Sequence, residues 1–130
     1  MSTVFVDTIK NQAGTTSLAA NKLPDMLSGS AKAWCDWDGT GTAAINKSLN
    51  ISSLTDQGTG DQQVNFTNSF TTNGFSLGAN GNQTRNSTGW GWLVTDHQRT
   101  TALSRVRAST AAYTLTDLAV MNVGIHGDLA

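Results

Sequence analysis

The sequence predicts an all-β fold, a β-sandwich or jelly roll of about seven to eight antiparallel strands with an N-terminal arm. Three features support this. Short runs of alternating apolar and polar residues recur at near-regular spacing along the 130 residues. Asp-Gly, Asn-Gly and Gly-x-Gly steps separate them, and these supply the positive φ values that tight hairpins need. Helix signals are sparse: threonine, serine, asparagine and glycine fill 55 of the 130 positions, charged residues only 13%, and glutamate is absent.

The elements follow in order. Val4-Phe5-Val6-Asp7-Thr8-Ile9 is rich in β-branched residues and reads as a strand. Leu18, Ala19, Ala20 and Leu23 make Ser17–Leu23 the best helical window, a turn or two stopped by Pro24. Residues 1–30 hold little aromatic mass and cannot bury a core of their own. They are therefore expected to be a docking or oligomerisation arm, with Val4, Phe5, Val6 and Ile9 as its contacts, and residues 31–130 the sandwich domain. Ala33–Asp38 places Ala33, Cys35 and Trp37 opposite Trp34, Asp36 and Asp38. Ala43–Ser53 carries Ile45, Leu49 and Ile51, with a hitch near Ser48 that suggests a bulge. Gln62–Phe70 alternates Val64 and Phe66 with Asn65 and Thr67. Gly78–Gly89 reads as a long polar connection to Trp90–Thr95, where Trp90, Trp92 and Val94 share a face. Ala102–Ala108 and Leu115–Ile125 complete the set, Met121, Val123 and Ile125 sharing a side.

A net charge of −1 offers no counterion-release contribution to nucleic-acid binding and no polybasic membrane patch, so neither partner is expected. No apolar run approaches the roughly 18 residues of a membrane span. The first residues also lack the charged-then-apolar pattern of a signal peptide. A single cysteine, Cys35, excludes an intramolecular disulfide and reads as a small buried apolar residue.

Some motifs invite chemistry. Asp36-Trp37-Asp38-Gly39-Thr40 matches a phosphatase nucleophile motif and half of a calcium loop. The first needs a buried parallel strand in an α/β domain. The second needs an acid at its twelfth position, where Lys47 stands. A strand ending in an Asp-Gly turn, its aspartates capping backbone amides, is the better reading. His97 and His126 have no partner at ligand spacing, and no Gly-x-Ser-x-Gly elbow occurs. No enzyme activity, metal or cofactor is expected. Arg105 and Arg107 share a strand face and read as solvated rather than paired. Trp34, Trp37, Trp90 and Trp92 concentrate aromatic surface that serves either a core or interface, or a platform for sugar rings. In the second case Trp90 and Trp92 would stack on a glycan while Asn82 and Arg85 of the polar stretch bond its hydroxyls.

Ala31-Lys32-Ala33-Trp34, Asp38-Gly39-Thr40-Gly41-Thr42, Asn50 to Asp61 (Asn-Ile-Ser-Ser-Leu-Thr-Asp-Gln-Gly-Thr-Gly-Asp) and Val64-Asn65-Phe66-Thr67 together form a pattern. It resembles that of small bacteriophage virion proteins and fibre-tip domains. The likeness is strongest over residues 31–70, extends to 1–12 and fades beyond 71. Cys35, Asp36 and Trp37 depart from it, standing where the family more often has Val, Asn and Phe. No catalytic residue belongs to the pattern. The resemblance implies a structural component of a tailed phage virion (a fibre, spike or capsid-decoration subunit), made in the host cytoplasm and carried on the particle. Its partners would be itself, as a homotrimer, and other capsid or tail proteins. The alternative is a carbohydrate-binding module at a fibre tip that attaches to host surface glycans.

Overall fold

The computed structural model describes residues 8–10, 17–19, 29–83 and 92–130. The chain divides into two units, Met1–Ser30 and Ala31–Ala130. In the first unit, β1 (Thr8–Lys10) pairs antiparallel with β2 (Ser17–Ala19), and Ile9 stands opposite Leu18. The helix expected from Ser17 is therefore replaced at Ser17–Ala19 by a strand. A window that Pro24 would close after two turns cannot offset the cost of helix nucleation, whereas a strand partner supplies backbone bonds at once.

Among the described residues the second unit holds eight antiparallel strands: β3 (Ala33–Asp38), β4 (Ala44–Leu49), β5 (Ile51–Gly58), β6 (Asp61–Phe66), β7 (Ser76–Asn82), β8 (Trp92–Arg99), β9 (Leu103–Thr110) and β10 (Val120–His126). They form two four-stranded sheets, ordered β4-β3-β10-β7 and β5-β6-β9-β8. The sandwich core comes from alternation along the central strands. Ala33, Cys35 and Trp37 of β3 and Met121, Val123 and Ile125 of β10 point inward from the first sheet. Val64 and Phe66 of β6 and Val106 and Ala108 of β9 meet them from the second. Phe66, Phe70 and Phe75 add an aromatic cluster, with ring centroids 4.9 to 5.7 Å apart, the spacing that edge-on and tilted rings favour.

Two features depart from the sequence reading. The run over Ala43–Ser53 is two strands, because Asn50 takes a left-handed φ of 56° and carries the chain from the first sheet to the second. The bulge expected near Ser48 is present on β4, where the register shifts opposite Asp36 and Trp37 and leaves Asn46 as the extra residue. The polar stretch from Gly78 is not a connection at its start: Ser76–Asn82 is the full edge strand β7, paired with β10 from Val120 to His126. Its inward positions are Leu77, Ala79 and Gly81. A Cβ on Gly81 would lie 2.7 Å from both Leu118 Cδ1 and Met121 Sδ. Glycine here serves close packing, not a turn.

Candidate functional site

The residues proposed for glycan contact do not gather into one described site. Trp90 and Arg85 lie outside the described residues. Trp92 opens β8 at an edge of the second sheet, and its side chain is outside the described set as well. Asn82 closes β7 at an edge of the first sheet. Of the arm residues, Val4, Phe5 and Val6 are outside the described residues, and Ile9 lies in β1.

The Asp36-to-Thr40 segment is built as a strand end. Asp38 Oδ1 accepts hydrogen bonds from Thr40 N at 2.8 Å and Thr40 Oγ1 at 2.6 Å, an Asx turn that closes β3. Asp36 Oδ1 accepts from Asn46 Nδ2 at 2.8 Å. β3 runs antiparallel to both neighbours, not as the parallel strand that the phosphatase motif requires. Cys35 is buried in the core, and burial first, then the charge of Asp36, pushes its thiol up to about 12. It is a packing residue, since reactivity needs the thiolate. His97 and His126 are exposed and stand on different sheets.

Sequence reasoning missed the anchor of the outer side of the second sheet. Asp61 is only 4% exposed. Arg105 meets it through both Nε and an Nη, at 2.6 and 2.8 Å, and Arg107 Nε donates at 2.7 Å. The solvated reading of these arginines is thus corrected. They sit opposite Gln63 and Asp61 in register, so both converge on one carboxylate. Burial raises the Asp61 pKa, but the hydrogen bonds and charges of the two arginines outweigh this and hold it below the usual carboxylate range. The face continues as a hydrogen-bonded ladder: Gln63 Nε2 donates to Asn65 Oδ1, and Asn65 Nδ2 donates to Ser53 and Thr55 hydroxyls. These groups satisfy one another, which suits a self-contained surface.

The open features lie on the first sheet and its margin. On one side of the sandwich, the edge strands β7 and β8 pack together. Arg99 at the end of β8 pins that side, donating to the Phe75 carbonyl at 2.6 Å, lying over the Phe75 ring and pairing with Asp96. On the other side, all six residues of β4 are exposed and β5 is exposed at six of its eight positions. Ile45 and Leu49 of β4 keep 37% and 48% of their surface in solvent. Beside Leu49 a depression of about 400 Å³ also takes in Leu129, itself exposed.

On the outer face of that sheet the register aligns two rows across four strands. One is Leu49, Trp34, Gly124 and Gly78; the next is Lys47, Asp36, Asn122 and Asn80. Trp34 is half-buried while Trp37, on the opposite face of β3, is fully buried. The expectation that the two tryptophans part ways holds, and the aromatic facing outward is Trp34.

Comparison with protein-family models, curated proteins and solved structures finds no match to this chain.

Proposed function

We propose that this chain is a structural subunit of a tailed bacteriophage virion, a fibre, spike or capsid-decoration protein that works by assembling with copies of itself on the particle. It carries out no catalysis. The observation that carries this reading is the unlatched β4–β5 margin. An edge strand presents a row of unpaired backbone donors and acceptors, and soluble proteins normally blunt such edges with charge, proline or a cover. β4 carries one lysine and one bulge, yet it has no proline and exposes two large aliphatic side chains, Ile45 and Leu49. Burying that margin against neighbouring copies satisfies the backbone and removes Ile45 and Leu49 from water. The virion pattern of residues 31–70 supports the same reading, because those residues build β3 to β6, the half of the sandwich that contains the margin.

The test is the mass of the purified protein by light scattering at micromolar concentration. The expected result is a trimer. Ile45→Lys with Leu49→Lys dissociates it without loss of β-structure, since neither side chain belongs to the buried core. A wild-type protein that runs as a monodisperse monomer overturns the proposal.

A further inference from the structure

We infer that the outer face of the β4-β3-β10-β7 sheet is a binding site for a neutral hexopyranose saccharide, with Trp34 as the stacking plate and Gly124 and Gly78 as the floor. The glycines are the starting point. Both stand at outward positions inside regular strands, side by side in register. Glycine in a strand interior weakens it by roughly 0.5–1 kcal/mol relative to alanine, so a paired instance calls for a cause. A bulge is not the cause, because the β10 register runs unbroken against both neighbours. A left-handed backbone is not, since neither glycine has positive φ. Steric exclusion by the described residues is not, since a Cβ built on either meets none of them within 4 Å. Gly81, three residues on, shows the contrast: its Cβ would strike Leu118 and Met121. What remains for glycine at such positions is close approach to the backbone by a ligand or by another chain.

The surroundings specify the ligand. Trp34 occupies the strand next to Gly124 in the same row. The floor from Trp34 to Gly78 therefore spans two inter-strand steps, about 10 Å, long enough for the apolar face of a sugar ring beside an indole. Two residues along the strands, about 6.7 Å away, the second row offers the Asp36 carboxylate, which accepts from hydroxyls, and the Asn122 and Asn80 amides, which both donate to and accept from them. Asp36 is oriented by Asn46. Lys47 stands opposite Asp36 in register, so the row carries one charge of each sign and favours a neutral ligand. A second copy of the chain reaches this face only at its Leu49 margin, because the cores of protein interfaces are depleted of charge and the row of Lys47, Asp36, Asn122 and Asn80 is polar throughout. The site differs from one at Trp90, Trp92, Asn82 and Arg85, and it does not depend on subunit assembly.

The experiment uses the full chain, ¹⁵N-labelled and titrated with maltose, lactose and mannobiose at millimolar concentration, alongside an array of immobilised neutral oligosaccharides. At least one sugar is expected to shift the Trp34 indole N–H together with the Gly78 and Gly124 amides. Trp34→Ala is expected to weaken that binding by about tenfold or more, through loss of the stacking contact. Gly124→Val supplies the second arm: a Cβ there meets none of the described residues within 4 Å, near-ultraviolet circular dichroism checks that the variant keeps its fold, and filling the floor is expected to abolish binding. Absence of binding to every sugar, shifts confined to another face, or full binding by both variants overturns the site. Loss of oligomerisation rather than of sugar binding in Gly124→Val overturns it in favour of a neighbouring copy as the occupant.

Discussion

Asp61 illustrates how one side chain can organise a whole face. A buried carboxylate is costly unless cations and donors meet it, and here two guanidinium groups from one neighbouring strand do so with three hydrogen bonds. Because the folded-state pKa is held below the ordinary aspartate value of about 3.9, the unfolded chain takes up the proton first as pH falls. The contribution of this pair is thus fully present above the unfolded value and is lost as pH drops through the folded one. Urea unfolding between pH 7 and pH 2 is expected to show stability declining below about pH 4. Asp61→Asn should flatten that decline and cost about 1–3 kcal/mol at pH 7, because it leaves two arginines partnered by a neutral amide. A variant with the wild-type acid slope would show that other carboxylates govern it. Alternation placed Arg105 and Arg107 on one face correctly, yet it could not reveal their partner. That depends on the β6–β9 register, which pairs Arg107 with Asp61 and Arg105 with Gln63.

The crossing from β4 to β5 rests on Asn50. Its left-handed backbone, φ 56°, is one that asparagine tolerates better than most residues. Its side chain clips the neighbouring turn, donating to the Asn68 carbonyl at 3.0 Å and accepting from Asn68 N at 2.7 Å. Asn50→Gly keeps the backbone conformation and loses the clip, a cost of about 1 kcal/mol. Asn50→Ala loses both and should cost about 2–3 kcal/mol. Thermal or urea unfolding that ranks alanine above glycine would refute this account of the crossing. The same position shows why strand boundaries were harder to read than strands. Ile45, Leu49 and Ile51 keep a two-residue spacing across Asn50, so periodicity continues where the backbone turns. β7 failed for the opposite reason: Ser-Leu-Gly-Ala-Asn-Gly-Asn carries turn residues throughout. Its place in the sheet is decided by Gly81 fitting against Leu118 and Met121, a requirement visible only once β10 is beside it. The central strands β3, β6, β9 and β10 were readable because their inner faces alternate cleanly into one core.

The described core of the sandwich draws every buried apolar side chain from between Ala33 and Ile125. Both central strand pairs, β3 with β10 and β6 with β9, lie wholly within Ala31–Ala130. Removing residues 1–30 leaves that described core and both central strand pairs in the chain, and the truncated chain is expected to unfold in a single transition. An arm whose role is docking leaves a different trace. In the intact chain its loss should lower the oligomeric mass while the unfolding of each subunit stays cooperative, because assembly and folding draw on separate surfaces. Near-ultraviolet circular dichroism reports the first property through Trp37, which is fully buried in the core, and light scattering reports the second. A truncated chain that loses its near-ultraviolet signal would show that residues 1–30 complete the fold. One that keeps both signal and mass would show that the β4–β5 margin, with Ile45 and Leu49, assembles the subunits without the arm.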